Sequence, residues 1–467
     1  MNQSKNKLTN IFLIGIGGSG MSGIAEVLHN LGYTISGSDI SRTDVIDRLE
    51  LMGIKVYLGH KASNLKKAEM VVFSSAIDIK NPEIIESNAR GLPVLARAEM
   101  LSGLMNMKRG IGIAGTHGKT TTTSLVASIL QEANLDPTFI NGGIVNSFAT
   151  NAKLGKGQYL VAEADESDQS FLMLNPTIAI ITNIEEDHLV NYDNNFENLK
   201  GAFTSFVKKL PFNGLLIACG DDPEIRKLLP SFSRPKVTYG FKGDNDYILS
   251  DYKSEEFKSS FVLSFRGTSV PIKLNMLGRH NALNAAAAYV LALEEGVPEL
   301  VINSALENFM GINRRMQVLG EVKFKDYSSL VVDDYGHHPT EIRNTLEAIK
   351  EGHPGKKITM VFQPHRYSRT NDLFEDFIDV LHLVDHLILL DVYSAGEKVI
   401  PGREAIDLLI RLKEKKNFIV NLIKDKKEIV KEINKASSSQ DGILLMQGAG
   451  DISVLSLSVY KQLKQIN

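Results

Sequence analysis

The 467-residue sequence predicts an α/β protein of three domains, and three observations support this fold class. At about 150 residues per domain, the length corresponds to about three domains. Short apolar strands that end in Gly, Asp or Asn alternate with helix-length segments, a pattern typical of parallel sheets covered by helices. This pattern restarts at Ile11–Ile14, at Ile111–Ala114 and at Leu330–Val332. The predicted domains are residues 1–108, 109–312 and 313–467.

Composition excludes several classes of protein. With 43% hydrophobic and 23% charged residues, the chain is neither collagen-like nor disordered. A net charge of −3 leaves no broad basic surface for a nucleic acid. The single cysteine, Cys219, cannot form an internal disulfide, and no run of apolar residues is long enough to span a membrane. We therefore expect a cytoplasmic monomer or homodimer that neither binds nucleic acid nor inserts into a membrane.

The first restart leads into a glycine-rich turn. Gly15–Gly20 matches G-x-G-x-x-G between a strand and the helix predicted for Met21–Leu31, and Asp39 follows nineteen residues after the last glycine. Glycines let the backbone approach a diphosphate, and the N-terminus of the helix supplies free N–H groups. The turn therefore predicts a Rossmann-like N-terminal domain whose ligand carries a diphosphate, either a dinucleotide or a UDP-sugar.

The second restart leads into a phosphate-binding loop. Gly115–Thr121 reads G-T-H-G-K-T-T between a strand and a helix that extends to about Glu132. It is a shortened variant of the Walker A loop, because the strict motif would have glycine where this chain has Ile113. Lys119 would neutralise the β- and γ-phosphates and the Thr120 hydroxyl would bind Mg²⁺. The middle of the chain is thus predicted to be a P-loop ATPase-type domain with a mostly parallel sheet.

Acidic residues follow two strands of this middle domain. Glu163–Asp168 comes after the strand Tyr159–Ala162, and Asn183–His188 comes after the strand Thr177–Ile181. The carboxyl ends of parallel strands meet at one edge of a sheet, so these two segments should converge there and bind Mg²⁺. Taken singly, each acidic residue at 165, 166 and 168 is better explained as a helix N-cap, but we expect at least one to bind metal. Alternating residues within Val237–Pro271 predict antiparallel strands.

Polar motifs continue into the last third of the chain. Asn281 and Asn284 lie three residues apart at the start of an alanine-rich helix, where their amides could bond a base, although capping is the commoner role of such residues. Asp333–Glu341, Phe362–Thr370 and Asp391–Glu397 each follow a strand. Arginines in the second of these segments suit carboxylate or phosphate binding. The adjacent residues His337 and His338 should point apart, which argues against a zinc site.

Together these motifs identify the sequence as similar to the Mur ligases. The resemblance extends over nearly the whole chain and rests on segments spread through all three predicted domains. These segments are Gly15–Met21, Gly115–Thr121, Glu163–Asp168, Thr182–His188, His280–Asn284, Asp333–Pro339 and Phe362–Tyr367.

The resemblance implies an activity. The first and the last of the three domains would both be Rossmann-like, the first holding a UDP-linked substrate and the last closing over ATP and an amino acid. The first and sixth of the motif segments favour the family members that add L-alanine to the lactyl carboxylate of UDP-N-acetylmuramate. ATP would phosphorylate that carboxylate, and the amine of L-alanine would displace phosphate from the acyl phosphate, in peptidoglycan precursor synthesis. ATP and Mg²⁺ are the implied cofactors.

The resemblance also assigns roles to single residues. Lys119, Glu163 and His188 would be catalytic, and Thr120, Glu163 and His188 would bind metal. The implied ATP contacts are Gly115, Thr116, His117, Gly118, Lys119, Thr120, Thr121, Asn281, Asn284, Arg314 and Asp334. The implied contacts with the UDP substrate are Gly17, Gly18, Ser19, Asp39, Ser75 and His117. The implied contacts on the amino-acid and muramyl side are Tyr335, His365, Arg366 and Arg369.

Three other functions compete with this interpretation. A ligase that joins a free peptide to UDP-N-acetylmuramate would share the ATP motifs, but the Gly15–Gly20 sequence argues against it. An NAD-dependent oxidoreductase would explain the first turn and leave the second loop unexplained. An NTP-driven switch protein would need no amino acid, so phosphate release without one would indicate it.

Overall fold

The computed structural model describes residues 8–324, 327–415, 418–436 and 441–466. It has an α/β architecture with three sheets, which confirms the predicted fold class. The strands of the three sheets fall within residues 10–96, 109–274 and 317–447, each inside a different predicted domain. The chain divides into two compact units. The first unit is Met1–Asp251, Phe261–Ile272 and Leu283–Met310, and the second is Tyr252–Ser260, Lys273–Ala282 and Gly311–Asn467.

The first sheet is parallel and has the strand order β3-β2-β1-β4-β5. Its strands are β1 (Asn10–Ile14), β2 (Thr34–Asp39), β3 (Lys55–Leu58), β4 (Met70–Phe73) and β5 (Val94–Ala96). Its helices are α1 (Ser19–Asn30), α2 (Asp44–Leu51), α3 (Pro82–Ala89) and α4 (Arg97–Met105). The central strand β1 lies between β2 and β4, where the strand order reverses, and ligands of such sheets bind in the crevice at that point.

The second sheet has the order β15-β14-β13-β12-β11-β10-β6-β9-β7-β8. Its strands are β6 (Arg109–Ala114), β7 (Thr138–Val145), β8 (Thr150–Lys153), β9 (Tyr159–Glu163), β10 (Ile178–Ile181), β11 (Leu215–Cys219), β12 (Lys236–Gly240), β13 (Tyr247–Glu255), β14 (Lys258–Phe265) and β15 (Thr268–Leu274). The helices of this segment are α5 (Lys119–Glu132), α6 (Phe196–Lys208), α7 (Pro223–Leu228), α8 (Arg279–Glu294) and α9 (Glu299–Glu307). Strand β6 pairs in parallel with β10 on one side and β9 on the other. The second glycine-rich loop therefore lies between the two acidic strand ends, as their predicted convergence requires.

Strands β13, β14 and β15 form consecutive hairpins at one edge of this sheet. Connections of two residues, at 256–257 and 266–267, can join only antiparallel strands. The expectation of antiparallel strands in Val237–Pro271 is thus confirmed for β13–β15 and wrong for β12, which pairs in parallel with β11 and β13. Cys219 ends β11 and is 3% exposed, and burial raises the pKa of its thiol to about 11.

The third sheet has the order β16-β17-β21-β18-β19-β20, with only the β16–β17 pair antiparallel among its described strands. The strands are β16 (Gln317–Lys323), β17 (Ser328–Asp334), β18 (Lys357–Phe362), β19 (His386–Leu390), β20 (Ile419–Ile423) and β21 (Gly442–Gln447). The helices are α10 (Pro339–Gly352), α11 (Tyr367–Asp372), α12 (Phe374–Leu381), α13 (Ala405–Lys413), α14 (Ile429–Ala436) and α15 (Ile452–Ile466). Apolar side chains form a cluster on each side of this sheet, which fixes the register of strands such as β21 because alternate residues point to opposite clusters.

Burial explains the compositions of two helices. Ala285–Ala288 of α8 are fully buried, as expected for an alanine-rich helix without a polar face. The threonines of α5 at positions 121, 122 and 123 are also buried, next to the second loop. Within the described ranges, no helix combines the length and the apolar character that crossing a membrane requires.

Candidate active site

The first glycine-rich loop connects β1 to α1 at the carboxyl end of the first sheet. The amides of Gly15 and Ile16 donate to the Ser38 carbonyl at 2.8 and 3.1 Å, which ties the loop to β2. The next glycine amide, that of Gly17, donates to Oδ2 of Asp39 at 2.9 Å. The predicted substrate residues Gly17 and Asp39 are thus in contact, and the Asp39 carboxylate accepts from one of the N–H groups of the loop.

A cavity of about 210 Å³ lies next to this loop. Gly18 and Gly20 line one side of it, and Glu163 and Asp165 at the end of β9 line another. Arg97, the first residue of α4, also lines the cavity, and a Cβ atom on Gly20 would lie 2.8 Å from its Nη1. Glycine at position 20 therefore leaves room for the guanidinium beside the loop. This cavity combines the first glycine-rich loop, a guanidinium and two carboxylates.

Arg97 is a residue that sequence reasoning missed. The sequence alone gives little indication of this residue's position beside the cavity. Predicting that position requires knowing that β5 belongs to the same parallel sheet as β1, so that the carboxyl ends of both strands lie at one edge. Ser75 was predicted as a substrate contact, but Ser75 is exposed and its neighbour Ser74 lines the cavity. The backbone of Ser19 begins α1, and its side chain lies outside the part of the chain that the structure describes.

The second glycine-rich loop is held in place by the segment that follows β10. The amides of Thr116 and His117 donate to the backbone and side-chain oxygens of Asn183 at 3.1 and 2.7 Å. The Thr182 hydroxyl donates to the His117 carbonyl at 2.6 Å, and the Glu185 amide donates to the Thr116 hydroxyl at 2.9 Å. This bracing fixes the loop before any ligand binds, and it explains why polar residues follow the apolar strand β10.

Lys119 folds back over the loop. Its Nζ donates to the carbonyl oxygens of Gly115 and Thr116 at 2.6 and 3.1 Å and contacts both carboxylate oxygens of Glu166 at 3.1 and 2.8 Å. Burial disfavours the ammonium, but the carboxylates of Glu166 and Asp165 outweigh it and raise the pKa of Lys119. Burial raises the pKa of the Glu166 carboxyl, and the Lys119 ammonium opposes that shift by stabilising the carboxylate. The lysine therefore keeps its positive charge at the position where a Walker-type loop holds phosphate.

The two predicted asparagines of α8 occupy different surroundings. Asn284 lies against the second loop, where its Oδ1 accepts from the Thr122 hydroxyl at 3.2 Å. Gly118 has φ of +85°, and a Cβ atom there would lie 2.5 Å from the Asn284 Oδ1, so this position requires glycine on both counts. Asn281 donates from Nδ2 to the Leu277 carbonyl at 2.7 Å. Asn284 thus supports the loop, and Asn281 supports the turn that precedes its helix.

The acidic residues after β9 separate into three roles. Glu163 lines the cavity and accepts from the Gly142 amide at 2.6 Å. The carboxylates of Asp165 and Asp168 accept from the amides two residues later, each at 3.0 Å, so both stabilise short turns and neither is the helix N-cap that the sequence predicted. Although burial opposes it, the Lys119 ammonium helps to hold the pKa of Asp165 below its usual range. Glu166 is not a cap, because its carboxylate reaches the lysine of the loop.

The predicted metal ligands offer a hydroxyl, a carboxylate and an imidazole. Thr120 is in the first turn of α5, and Glu163 ends the neighbouring strand β9. His188 has φ of +57°, and its Nε2 lies 3.4 Å from Oδ2 of Asp187. His117 is on the loop itself, with its Nε2 3.5 Å from a carboxylate oxygen of Glu185. Mg²⁺ favours oxygen donors and retains several waters and substrate phosphates, so this sparse donor set suits it.

In the second unit, Arg314 precedes β16 and Asp334 is the last residue of β17. The Arg314 guanidinium donates to Oδ2 of Asp333 at 3.3 Å and to the Gly448 carbonyl at 2.5 Å. The Asp334 carboxylate accepts from two backbone amides and from the side chains of Thr345 and Gln447. Asp334 is therefore fixed in position by side chains of α10 and β21 and by two backbone amides outside the helices and strands.

Tyr335 and His365, two of the residues predicted to contact the amino acid, form an aromatic cluster with His337 and Tyr393 in the same unit. The His337 ring meets those of Tyr335 and His365 edge-on at 5.2 and 5.6 Å, and His365 stacks on Tyr393 at 5.4 Å. Burial lowers the pKa of His337 to about 3, and burial together with the Arg369 guanidinium lowers the pKa of His365 to about 4. Both imidazoles are neutral at pH 7. Tyr393 was not among the predicted contacts, but its position shortly after β19 could have indicated it.

The two adjacent histidines separate, as expected. Nδ1 of His338 accepts from the Thr340 amide at 3.3 Å and caps α10, which begins at Pro339. His337 belongs to the aromatic cluster instead. The arginines of the neighbouring motif lie near it, with Nη1 of Arg366 3.9 Å from the Glu397 carboxylate and Nη1 of Arg369 3.5 Å from the His365 carbonyl.

Comparison with known families accounts for all three sheets. A model described as Mur ligase family, catalytic domain, matches residues 10–109, and one described as Mur ligase middle domain matches residues 113–292. A third, described as Mur ligase, glutamate ligase domain, matches residues 314–450. The chain belongs to the Mur ligase family. Mur ligases are ATP-dependent ligases, so the second loop belongs to a nucleotide-using enzyme.

Solved Mur ligase structures resemble the chain over its full length. The UDP-N-acetylmuramate-alanine ligase MurC from Thermotoga maritima is 29% identical, with 99% of this chain and 100% of that chain covered and a TM-score of 0.84. A murein peptide ligase from Psychrobacter arcticus is 24% identical over 98% and 99% of the two chains, with a TM-score of 0.71. The MurF ligase from Thermotoga maritima in complex with ADP is 18% identical over 93% and 96%, with a TM-score of 0.61. The latter two likenesses establish the fold alone.

Proposed function

We propose that this Mur ligase uses ATP to join L-alanine to the lactyl carboxylate of UDP-N-acetylmuramate, a step of peptidoglycan precursor synthesis. The products are ADP, phosphate and the alanyl amide. Support comes from the motifs of the sequence and from the full-length likeness to the Thermotoga maritima alanine ligase.

The observation that carries the proposal is the shared cavity of the first unit. Gly18, Gly20 and Arg97 line one side of this cavity, and Glu163 lines another. Strand β9, which ends at Glu163, pairs with β6, whose end leads into the second loop. A diphosphate-linked substrate bound at the first loop would therefore extend toward the groups that handle ATP. A nucleotide switch needs no such second anion site beside its phosphate-binding loop.

In the proposed first step, an oxygen of the lactyl carboxylate attacks the γ-phosphorus of ATP. The bond between that phosphorus and the β–γ bridging oxygen breaks, which gives an acyl phosphate and ADP. The Lys119 ammonium would neutralise charge that develops on the phosphate oxygens, because it is held over the loop by two of its carbonyls. Loop amides other than those of Thr116 and His117, which donate to Asn183, would bond the same oxygens.

In the proposed second step, the amine of L-alanine attacks the acyl carbon. The tetrahedral intermediate expels phosphate, the amine nitrogen loses a proton, and an amide remains. Arg366 and Arg369 supply cationic groups for the carboxylate of L-alanine. The neutral rings of His337 and His365, with Tyr335 and Tyr393, offer a largely uncharged surface beside them.

Thr120, Glu163 and His188 would hold Mg²⁺, which when bound supplies positive charge to the phosphate oxygens. A hydroxyl, a carboxylate and an imidazole supply only part of the coordination of Mg²⁺, which suits an ion that also keeps waters and binds substrate phosphates.

Phosphate release by the purified protein tests the proposal. ATP and Mg²⁺ are supplied with UDP-N-acetylmuramate alone, L-alanine alone, or both together, and the product mass is determined. We expect release only with both substrates and a product heavier by one alanyl residue. Release without an amino acid indicates the switch function instead, and activity only with L-alanyl-γ-D-glutamyl-meso-diaminopimelate indicates a peptide ligase.

A further inference from the structure

Glu166 is a buried carboxylate for which the proposed chemistry has no role. It is 1% exposed and lies within 2.8 Å of the Lys119 Nζ. It is separated from the predicted metal ligand Glu163 by two residues, and its neighbours Asp165 and Asp168 are occupied as turn caps. The lysine of the second loop thus has a carboxylate partner that is neither an assigned metal ligand nor the cap of a turn.

The backbone of Glu166 is anchored independently of the loop. Its carbonyl accepts from the Gln169 amide at 3.1 Å and from the hydroxyl of Tyr192, which is 2% exposed. The side chain is thus directed at Lys119 from a rigid turn. The carboxylate does not depend on a bound ligand to reach the lysine.

The lysine has more acceptors around it than protons. An ammonium group donates three hydrogens, and Nζ already faces two loop carbonyls and both Glu166 oxygens within 3.1 Å. A phosphate oxygen that enters the loop needs one of these hydrogens, and it brings negative charge close to a carboxylate. Phosphate and Glu166 must therefore compete for the same lysine. In the empty loop, the same contact prevents Lys119 from being buried without a partner.

We propose that Glu166 is a positioning residue that holds Lys119 in the nucleotide-free enzyme and thereby weakens nucleotide binding. Phosphate must displace the carboxylate, so the pair lowers the apparent affinity by the fraction of molecules in which the lysine is engaged. The weakening applies to ADP as well as to ATP, and it favours release of the spent nucleotide. This inference rests on the proposed role of Lys119 at the phosphates.

The test is the affinity for ADP, measured by titration calorimetry on the full chain. Glu166→Gln keeps the shape of the side chain and removes its charge, and we expect ADP to bind about tenfold more tightly than to wild type. The inhibition constant of ADP should fall in parallel, as should the KM for ATP. Glu295→Gln is the matched control, because Glu295 also forms a two-oxygen pair, with Arg109 at 2.6 and 2.7 Å, and Arg109 begins β6 at the end remote from the loop. We expect no change in ADP affinity there.

Unchanged or weaker ADP binding by folded Glu166→Gln overturns the inference. Should that variant fold poorly, Glu166→Asp supplies a second test, because its shorter carboxylate should release Lys119 and tighten ADP binding by a smaller factor. An equal or weaker affinity in that variant has the same meaning. A wild-type chain that binds ADP but does not join L-alanine to UDP-N-acetylmuramate contradicts the proposed function and leaves the affinity comparison valid. A wild-type chain that does not bind ADP contradicts both.

Discussion

The two glycine-rich loops of the first unit have the same position in their sheets but obtain their charges differently. Each follows the central strand of a parallel arrangement and leads into a helix. The first loop carries no cation, and its nearest guanidinium, that of Arg97, comes from a helix 77 positions after Gly20. The second loop carries Lys119 within its own sequence.

Each loop also has a carboxylate beside it. Asp39 accepts from the Gly17 amide of the first loop, and Glu166 contacts the lysine of the second. The first contact leaves the guanidinium of Arg97 facing the cavity, whereas the second engages the cation itself. Under the proposed function, the first loop would take the diphosphate directly, whereas a phosphate at the second would have to displace the Glu166 carboxylate from Lys119.

The largest effect should come from the second loop. Lys119→Ala removes a charge that meets the transition state, so we expect turnover to fall roughly 10²- to 10³-fold. Lys108→Ala is the control, because Lys108 also donates to two carbonyls, those of Gly155 and Gly157, away from the loop. Turnover is measured by coupled phosphate release, and folding by circular dichroism. Turnover of Lys119→Ala within tenfold of wild type would remove this loop from the chemistry.

A smaller effect should follow at the first loop. Arg97→Ala should raise the KM for UDP-N-acetylmuramate about 10- to 100-fold, since one charge-assisted hydrogen bond contributes about 1.5 to 3 kcal/mol. The KM for ATP should stay within about twofold, because the lysine serves that site. Arg48→Ala offers a comparison, as Arg48 bonds Thr150 and Asn151 rather than the cavity. An increase confined to the KM for ATP would mean that Arg97 belongs to the other loop.

The loops should also differ in their tolerance of a methyl group. Gly118→Ala forces a left-handed backbone and a clash with Asn284, so we expect a loss of about 1 to 3 kcal/mol in the free energy of unfolding. In Gly20→Ala the obstacle is the end of a flexible arginine, and a helical alanine recovers up to about 1 kcal/mol. Urea denaturation of both variants tests this. Equal losses would show that the two loops are equally constrained.

The smallest effect concerns the aromatic cluster of the second unit, formed by Tyr335, His337, His365 and Tyr393. In the folded chain His337 and His365 have pKa values of about 3 and 4, below the ordinary value of 6.5, because they are buried. Between the folded-state pKa values and 6.5, the unfolded chain therefore binds more protons than the folded chain. The contribution of the two neutral histidines to the free energy of unfolding is complete above pH 6.5 and is lost as the pH falls toward 4. Each contributes at most about 1.4 kcal/mol per pH unit.

Carboxyl groups and other histidines titrate in the same range, so the informative quantity is a difference. The free energy of unfolding of wild type minus that of His365→Gln is measured by urea denaturation between pH 7 and 4.5. We expect this difference to decrease on acidification. A difference that is independent of pH would show that the imidazole of His365 is not held neutral.

The sequence predicts the positions of both loops because each motif carries its own strand–turn–helix context. It also predicts that Glu163 and the segment ending at His188 converge, since parallel strands end at one edge. The sequence could not predict that Arg97 lines the cavity, because this depends on the strand order of the first sheet. It could not predict the contact between Glu166 and Lys119 either, because this depends on the direction of the turn after β9. The left-handed Gly118 and its contact with Asn284 join residues 166 positions apart, which no local pattern encodes. Glu166 is acidic like its neighbours Asp165 and Asp168, but its carboxylate contacts Lys119 whereas theirs accept from nearby backbone amides.

The buried thiol of Cys219 has a practical consequence. At 3% exposure and with a pKa near 11, it carries almost no thiolate at neutral pH and should resist alkylating reagents. Cysteines introduced at exposed sites in the two units, such as Leu300 at 84% exposure and Val454 at 77%, would then be the reactive ones. Spectroscopic probes could be attached there to report on each unit without first removing the native cysteine.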